Sequence, residues 1–426
     1  MTINRAYKVE LDPNNNQRTL LLKHAGCARF AYNWGVEKVK DGAKPNAIAL
    51  HRELNALKPT DFPWMYDVSK CAAQEALRDL QKAFSNFFAG RAKFPKFKSK
   101  HDGIGSFRLT GTIKVEGKRI QLPRLGWLRL KEAEYIPQDA HILSATVSQS
   151  AGRWYVSVLV REESAQQPLN QGKLGIDLGI KTLATCSDGT QYANPKAIAK
   201  HEKKLKRLQR KLSRQQKNSN RRKQTKQKIS RTWAKIRHIR TDSIQKATTD
   251  IVKTKQCQTI MLEDLNIKGM VKNHCLAKSI SDANMRQFRT TLEYKQKWAG
   301  GTIELVDRWF PSSKTCSACG VVKEKLSLGE RTFSCDCGNM MDRDLNAAIN
   351  LKNYTASSAG INGRGDVKVH ELETVQVSVN EATTKTYKNL MSTSAYQIFC
   401  GFWRTVYLLC HKQASANKTT TKKKLT

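Results

Sequence analysis

Four cysteines in two close pairs are the feature of this sequence that most restricts its fold. The pairs are CSAC at 316–319 and CDC at 335–337, joined by a loop of 15 residues. Two pairs joined by one loop can place four thiolates around a single ion, as in closed tetrahedral zinc sites. The spacing therefore predicts a zinc-stabilised loop, with a disulfide, free thiols and an iron–sulfur cluster as weaker alternatives. The predicted ligands are Cys316, Cys319, Cys335 and Cys337.

The remaining cysteines predict a reducing compartment. The chain holds eleven cysteines, an odd number, and outside the two pairs they lack the spacing of a disulfide framework. The N-terminal segment MTINRAYKVELDPNNNQ is polar and has no apolar stretch of the signal-peptide kind. The apolar segment at 394–410 is short for a membrane span and contains Arg404. We therefore expect a protein of the prokaryotic cytoplasm or nucleoid.

The net charge of +39, from 75 Lys and Arg against 36 Asp and Glu, indicates a polyanionic partner. Basic side chains bind phosphates and release counterions, so the affinity of such a surface falls steeply with salt. The basic residues are spread along the whole chain and interleaved with core-forming segments. This distribution favours nucleic acid over a solubilised or membrane-surface protein as the explanation of the charge.

Periodicity divides the N-terminal part into a strand, two helices and a β-rich region. The segment RAYKVELD at 4–11 alternates like a strand, and apolar residues at helical spacing predict helices over 17–40 and 69–88. Alternating runs from 106 to 163, separated by turn signals, predict a small antiparallel barrel. The polar, proline-containing segment 165–172 is predicted to be a linker.

Two basic segments are candidates for nucleic-acid contacts. In RAKFPKFKSK (91–100), Lys96 and Lys98 alternate with aromatic rings, which suits phosphates and bases; a solvated edge strand with two buried phenylalanines explains the pattern equally well. Residues 201–240 contain 17 Lys and Arg and one acid, and predict paired helices with an apolar stripe and a cationic face. The stripe comprises Leu205, Leu208, Leu212, Ile229, Trp233, Ile236 and Ile239, and the proposed backbone contacts are Arg207, Arg210 and Arg214.

Carboxylates occur on three predicted core elements where local preference does not explain them. In the strand KLGIDLGIKTLAT, Asp177 shares one face with glycines, which indicates that backbone or a ligand approaches closely. The strand TIMLEDL ends in Glu263 and Asp264, of which only one can face a given side of a sheet. In MDRDLNAAINL, Asp342 is predicted to cap a helix whose alanine stripe carries Asp344 toward a sheet.

Taken together, these acids indicate a divalent-cation site. Any one of them alone is more simply explained as a structural or surface residue. As a group, Asp177, Glu263 and Asp344 provide the hard oxygen ligands that Mg²⁺ prefers. Two such ions can activate water and stabilise the leaving oxygen of a phosphodiester. A basic chain with this set of carboxylates predicts a nuclease.

Four motifs occur in a distinctive order and spacing: GIDLGIKTLAT, LEDLNIKGM, PSSKTCSACG and CDCGNMMDRDLNAAINL. In these motifs the chain resembles the transposon-encoded TnpB family, which is regarded as ancestral to the type V CRISPR effectors. The resemblance covers residues 1–352 and is most specific over 173–352; ARFAYNW, KFPKFK and LPRLGW extend it into the N-terminal third. It implies that Asp177, Glu263 and Asp344 are the catalytic residues.

The resemblance also implies an architecture with α/β, α and β parts. An RNase H-like (RuvC) nuclease domain with an inserted zinc ribbon would follow an oligonucleotide-binding-type β-barrel and a helical recognition lobe. The predicted parts are the barrel (1–15 and 91–164), the helical lobe (16–90), the linker (165–172), the nuclease domain (173–310 and 338–370), the ribbon (311–337) and a tail without an assigned role (371–426).

The activity implied by the resemblance is cleavage of DNA beside a short transposon-associated motif, guided by an RNA from the transposon end. By similarity, Lys70, Gln74 and Thr110 match positions that recognise this motif, and Arg331 matches a basic residue that supports the active site. The implied partners are that guide RNA and double-stranded target DNA, bound by a monomer. The implied cofactors are two catalytic Mg²⁺ ions and one structural Zn²⁺.

Three classes of function are compatible with these observations: an RNA-guided endonuclease, a regulator that only binds DNA on the same scaffold, and a transposase that transfers strands itself. All three acids are present, which disfavours the regulator. No catalytic tyrosine or His-hydrophobe-His signature favours the transposase. We expect an Mg²⁺-dependent, RNA-guided DNA endonuclease.

Overall fold

A computed structural model describes residues 2–100, 103–163, 168–327 and 329–355. The described residues 2–35 and 46–355 belong to one compact unit, and residues 36–45 fall outside it. The tail predicted at 371–426, with its apolar segment at 394–410, lies outside the described residues. Among the described helices, none is both long enough and apolar enough to cross a membrane.

Two antiparallel sheets and a group of helices form the N-terminal part. The four-stranded sheet has the order β1-β7-β6-β2 and the three-stranded sheet the order β3-β4-β5. The sheets meet at the end of β1, where the Asp12 amide donates to the Arg129 carbonyl (2.8 Å) and the Lys131 amide to the Glu10 carbonyl (2.9 Å). The elements are β1 (Thr2–Leu11), α1 (Asn15–Lys40), α2 (Ala47–Leu57), a 3-10 turn (Pro63–Asp67), α3 (Lys70–Phe88), β2 (Ser106–Leu109), β3 (Lys114–Glu116), β4 (Arg119–Leu122), β5 (Gly126–Arg129), β6 (His141–Ser150) and β7 (Arg153–Glu163).

Helices α1 and α3 confirm the helical periodicity of the sequence. The apolar side of α3 is buried through Leu77, Leu80 and Phe84, which are at most 1% exposed. A Cβ added at Gly35 of α1 would lie 2.6 Å from a methyl group of Leu80, so this glycine lets the two helices pack closely. Burial of such an apolar stripe supplies most of the stability of a short helix in a protein.

A five-stranded sheet organises the C-terminal part. Its order is β10-β9-β8-β11-β12; β8, β11 and β12 are parallel, β9 runs antiparallel to β8, and β10 runs antiparallel to β9. The elements are β8 (Asn170–Asp177), β9 (Thr182–Cys186), β10 (Gln191–Ala193), α4 (Ala197–Ser213), α5 (Asn220–Asp250), a π-helical turn (Ile251–Lys255), β11 (Cys257–Glu263), α6 (Ile267–Met270), α7 (His274–Ala283), α8 (Met285–Ala299), β12 (Thr302–Val306), β13 (Thr332–Ser334), β14 (Met340–Asp342) and α9 (Arg343–Asn353).

Helices cover both faces of this sheet. Leu174, Ile176 and Leu262 pack on one face with buried residues of α5 and α8. On the opposite face Met261 packs with Leu351 of α9. Because strand residues alternate between faces, the face of Met261 also receives Gly175 and the acids that follow these positions by two residues.

The structure corrects several expectations. β8 begins at Asn170, so the last three residues of the predicted linker belong to a strand. β14 pairs with β13, so the ribbon hairpin continues to Asp342 rather than ending at 337. Trp233, predicted on the apolar stripe of α5, is 40% exposed. The segment 91–100 forms no strand, and its Phe94 and Phe97 are exposed rather than buried.

Candidate active site and metal centre

Two of the predicted acids end neighbouring parallel strands. Asp177 is the last residue of β8 and Glu263 the last residue of β11. The register pairs Ile176 with Leu262, so the two acids follow one paired position at the same edge of the sheet. Their side chains are partly buried on the face that α9 covers. The carboxyl ends of parallel strands are the usual place for functional groups in open sheets.

Helix α9 brings the third acid to this edge. The carboxylate of Asp342 caps the helix by accepting from the amides of Asp344 (2.9 Å) and Leu345 (3.1 Å), as the sequence predicted. Ala347 and Ala348 are at most 1% exposed and let the helix lie directly on the sheet. Asp344, one turn before these alanines, is therefore carried to the same face.

The glycines around Asp177 are explained by the closeness of neighbouring backbone. A Cβ added at Gly175 would lie 2.0 Å from the Ala348 carbonyl oxygen, a contact that no side chain allows. A Cβ at Gly179 would lie 2.8 Å from the Thr182 carbonyl oxygen and 4.0 Å from a carboxylate oxygen of Asp344. The predicted close approach at these glycines is thus confirmed: at Gly175 the approaching group is the backbone of α9, and at Gly179 it is the backbone of Thr182 in β9.

The acids interact electrostatically. Burial, followed by the negative charges of Asp344 and Glu263, raises the pKa of Asp177 to about 7, although Arg343 opposes the shift. Burial also raises the pKa of Glu263. Carboxylates repel one another when they are brought together in a poorly solvated place, because each negative charge disfavours ionisation of the next. Both other acids therefore act on Asp177, and we call the three residues the acidic site.

Glu263 and its neighbour Asp264 have different surroundings. Asp264 bonds to the guanidinium groups of Arg289 (3.0 Å) and Arg308, and the hydrogen bond from Arg308 is the main cause of its lowered pKa. Glu263 lies on the other side of the strand with the remaining acids. The expectation that only one of the pair faces a given side of the sheet is met, and Glu263 is the one on the face that α9 covers.

Sequence reasoning missed Arg343. Its guanidinium lies 3.6 Å from a carboxylate oxygen of Asp344, and its side chain is only 15% exposed. The charge of Arg343 also acts on Asp177. The sequence feature that could have indicated Arg343 is its position between the two aspartates of the DRD motif. Arg331, the basic residue predicted to support the site, is exposed and contributes its backbone carbonyl, which accepts from the Arg343 amide at 2.8 Å.

The acidic site fits divalent cations by the chemistry of its donors. Three carboxylates offer hard oxygen ligands, and repulsion from Asp344 and Glu263 adds to burial in raising the pKa of Asp177. A bound dication would favour the ionised form of each acid and relieve this repulsion. The nearby Arg343 supplies a single positive charge against three negative ones.

The four cysteines confirm the predicted cluster. Their sulfur atoms all lie within 4.8 Å of one another, with 3.7 Å between Cys316 and Cys337 and 3.6 Å between Cys319 and Cys335. Four sulfurs at about 2.3 Å from a zinc ion would be separated by about 3.8 Å in a tetrahedron, so the geometry fits zinc. Gly320 and Gly338, each with positive φ, close the turns after each pair. No ligand position is left for a substrate.

The positions predicted to contact nucleic acid lie in three places. Thr110 bonds through its hydroxyl to Cys71 Sγ at 3.4 Å, which brings it to the first turn of α3 beside Lys70 and Gln74. Lys98 lies over the ring of Tyr32, with its ammonium 3.8 Å from the ring centroid. The positions exposed to solvent are Lys70, Lys96, Lys98, Arg207, Arg210 and Arg214.

The third of these places is formed by the paired helices α4 and α5. Leu205 of α4 and Ile236 of α5 are buried in a small apolar cluster, with Ile229 and Ile239 packed against it. The paired helices and most of their apolar stripe are thus confirmed. Glu202, the acid of this tract, is bonded to Lys278 (2.8 Å) and Lys206 (3.0 Å).

Three family models match the chain. Residues 145–274 match the OrfB_IS605 family, described as "Probable transposase", and residues 286–351 match the "Cas12f1-like, TNB domain". Residues 1–44 match a "Helix-turn-helix domain", although in this structure they contain strand β1 and the long helix α1. The first two matches together span the acids, the cysteines and most of the five-stranded sheet.

Curated relatives match most of the chain. A Streptomyces pristinaespiralis protein named "Putative RNA-guided DNA endonuclease" is 36% identical and the match covers 82% of this chain and 89% of the relative. The Escherichia coli protein named "Putative RNA-guided DNA endonuclease InsQ" is 32% identical, covering 82% and 91%. Identity of this extent over nearly the whole relative establishes common family membership.

Among solved structures, one described as "Cryo-EM structure of the Cas12f1-sgRNA-target DNA complex" matches with a TM-score of 0.52. The match covers 83% of this chain and 99% of that chain at 14% identity, so it shows a shared fold. With the family models and the curated relatives, it confirms the resemblance that the sequence motifs indicated. The chain belongs to the TnpB family of transposon-encoded proteins.

Proposed function

We propose that this protein is an RNA-guided DNA endonuclease of a transposable element, and that it hydrolyses phosphodiester bonds at the acidic site. The observation that carries the proposal is the convergence of Asp177, Glu263 and Asp344 from two strand ends and a helix, with the pKa of Asp177 raised to about 7. Acids concentrated in this way are unfavourable in a purely structural site and useful in one that binds metal ions.

The sheet supports an RNase H-like (RuvC) assignment of the nuclease domain. β8, β9 and β10 pair as successive antiparallel hairpins, and β11 and β12 are parallel to β8, in the order β10-β9-β8-β11-β12. The first and fourth strands of the domain, β8 and β11, therefore lie side by side. These are the strands that end in Asp177 and Glu263. In this assignment β1–β7 supply the oligonucleotide-binding-type barrel and α1–α3 the recognition lobe.

Each acid has a distinct support. Asp177 and Glu263 are fixed by the hydrogen bonds of two paired strands, and Asp344 is fixed by the cap and packing of α9. Two Mg²⁺ ions held by these carboxylates would lower the pKa of an attacking water and stabilise the leaving 3′ oxygen. Arg343 would oppose the accumulated negative charge of the phosphate, as guanidinium groups do at phosphoryl sites. Arg331 retains its proposed supporting role from the surface.

The partners are a guide RNA from the transposon end and double-stranded target DNA. Support comes from the names of the curated relatives, from the RNA and DNA in the solved complex with the same fold, and from the net charge of +39. Lys70, Gln74 and Thr110 would recognise the adjacent motif of the DNA. Lys96, Lys98 and the arginines of α4 would contact the nucleic-acid backbone. One protein chain, acting in the cytoplasm, would bind one guide.

A cleavage assay on the purified complex tests this function. RNA that co-purifies with the full-length protein is sequenced, and a DNA duplex matching its variable end is offered with randomised flanks. We expect cutting in Mg²⁺, none in EDTA, and recovery when Mg²⁺ is restored, with one flanking motif enriched among the products. Guided DNA binding without cutting in Mg²⁺ or Mn²⁺ would instead establish the binding-only regulator.

A further inference from the structure

We propose that Asn346 and Asn350 are positioning residues that couple zinc binding at the ribbon to the metal affinity of Asp344. The inference rests on the proposed function in one respect, namely that Asp344 ligates a catalytic cation. It adds that the two metal sites are energetically linked, and it names the side chains that link them. Neither residue touches the reacting atoms; both would act through the position of α9.

Hydrogen bonds join these two side chains to the ribbon loop. The Asn346 carbonyl oxygen accepts from the Ser317 amide (3.0 Å), and its amide group donates to the Thr315 carbonyl (2.7 Å). The Asn350 amide group donates to the carbonyls of Ser312 (2.8 Å) and Thr315 (2.7 Å). Two consecutive turns of one helix face therefore bond to a single loop of six residues, 312–317.

The zinc ligand Cys316 lies inside this loop. Its chain neighbours are Thr315 and Ser317, the two residues that bond to Asn346. When zinc holds Cys316 in place, the donor and acceptor on either side of it are held in place too. Asn346 is two residues from Asp344 on the same helix, so the path from the zinc site to the acidic site is short and continuous.

Burial makes these bonds sensitive to the loop position. Asn346 is 0% exposed and Asn350 is 6% exposed. A buried amide that loses its partners retains no water to replace them, so displacement of the loop is strongly unfavourable unless the helix moves with it. The helix and the ribbon loop are thus expected to move together.

Two backbone connections make α9 and the ribbon one mechanical unit. Asp342 is both the last residue of ribbon strand β14 and the cap of α9. The Arg343 amide donates to the carbonyl of Arg331, on the approach to the other ribbon strand, at 2.8 Å. The close packing of α9 against Gly175 of β8 fixes the side of the helix that faces the sheet. The first turn of α9, which carries Asp344, is consequently set by ribbon and sheet together.

Metal binding measures this coupling directly. Full-length protein bound to its guide RNA is prepared as Asn346→Ala and Asn350→Ser, with Asn353→Ala as the matched control because Asn353 is an exposed asparagine of the same helix. We expect zinc content near one per chain in all three variants. The Mg²⁺ concentration for half-maximal cutting should rise about tenfold or more in Asn346→Ala, as losses of supporting contacts around a metal site usually do, and less in Asn350→Ser, which keeps one donor. Asn353→Ala should match the unmodified protein.

A readout independent of cutting separates the coupling from loss of the nuclease function. Binding of Mn²⁺ to the same complexes is followed by calorimetry. The part of the signal that is lost in Asp344→Asn is assigned to the acidic site. Asn346→Ala should weaken that signal by a similar factor while DNA binding is unchanged. If the unmodified protein binds Mn²⁺ through Asp344 but never cuts, the proposed function fails and the coupling is still measured.

A double-variant cycle completes the test. Cys335→Ser removes a zinc ligand that lies outside the 312–317 loop, and we expect it to weaken Mn²⁺ binding as Asn346→Ala does. Combined with Asn346→Ala, it should cause little additional weakening, because the connection is already broken. Full additivity of the two effects, or unchanged Mn²⁺ affinity in zinc-loaded Asn346→Ala and Asn350→Ser, would overturn the coupling.

Discussion

At the scale of single residues, the site is defined by where each carboxylate lies relative to water and to its neighbours. Asp177, Glu263 and Asp264 are all acids at strand ends, yet they have different electrostatic surroundings. Two guanidinium groups compensate Asp264, whereas Asp177 and Glu263 face another acid. The sequence predicted that only one of Glu263 and Asp264 faces a given side of the sheet. It did not predict the two arginines that bond to Asp264, because Arg289 lies in α8 and Arg308 follows β12, outside the local sequence of Asp264.

The raised pKa of Asp177 predicts a pH-dependent stability of the metal-free protein. The carboxyl is easier to protonate in the folded state, where its pKa is about 7, than in the unfolded chain, where it is 3.8. Its contribution to stability is therefore fully present below about pH 4 and is lost as the pH rises through 7. Asp177→Asn avoids this loss, so in EDTA at pH 8 it should be more stable by about 2–4 kcal/mol.

Thermal unfolding at several pH values checks this expectation. The stabilisation by Asp177→Asn should shrink steadily from pH 8 to pH 5. Added Mg²⁺ should raise the melting temperature of the unmodified protein more than that of the variant, because only the former keeps all three ligands. A variant that is less stable than the unmodified protein in EDTA at pH 8 would contradict the raised pKa.

Adjacent acids should respond differently to neutral substitution. Glu263→Gln removes a proposed metal ligand and should reduce cutting by at least about 100-fold, with little change in melting temperature. Asp264→Asn removes a partly exposed partner of Arg289 and Arg308 and should cost about 1 kcal/mol of stability with near-normal cutting. Rates and melting curves measured side by side check both. Equal loss of cutting in Glu263→Gln and Asp264→Asn would contradict the proposal that only Glu263 belongs to the acidic site.

At the scale of elements, the seating of α9 on β8 is the contact that forms the site. The sequence could predict it in part, because Gly175 and the alanine stripe both indicate close approach. It could not predict that the amides of Asn346 and Asn350 bond to the ribbon loop, since their partners are backbone groups some 30 positions away. The edge strand that was one of two interpretations of 91–100 is absent for a related reason: alternation alone does not supply a neighbouring strand, and the backbone of Lys98 instead bonds to the side chain of Asn33 in α1.

Gly175→Ala tests the seating. The added methyl group would meet the Ala348 carbonyl oxygen and the Lys352 amide, both backbone atoms that cannot turn away. We expect loss of about 3 kcal/mol or more and a large fall in cutting, since Asp344 moves with the helix. Gly26→Ala in α1 is the matched control, because nothing lies within 4 Å of its added Cβ and alanine favours the helix. A Gly175→Ala protein as stable and active as that control would contradict the seating.

The cationic face of α4 is a second feature of element scale. Replacing Arg207, Arg210 and Arg214 together with glutamine should weaken guide-RNA binding and lower the slope of log affinity against log salt by about 2–3. The control replaces Lys23, Lys131 and Lys246, which are already paired with carboxylates. Filter binding over a salt series distinguishes them. An equal effect of both sets would show that net charge alone, and not α4, governs RNA binding.

At the scale of the whole molecule, two candidate metal sites of different donor chemistry are connected by the start of one helix, α9. A cysteine site suited to zinc closes a ribbon, and a carboxylate site suited to divalent cations lies at the start of α9, which the ribbon leads into. The motifs predicted the cysteine cluster and the family. The sheet order could be expected only through that resemblance, because the pairing of strands such as β8 and β11, whose paired residues Ile176 and Leu262 are 86 positions apart, leaves no trace in local periodicity.

The central claim is that the acidic site cuts DNA and is not needed to find it. Its most direct test is Asp177→Ala in the full-length protein with its guide RNA. We predict that cutting of the matched duplex in Mg²⁺ falls below detection while the affinity for that duplex and its salt dependence stay within about twofold of the unmodified complex. Cutting at the unmodified rate by this variant would contradict the account.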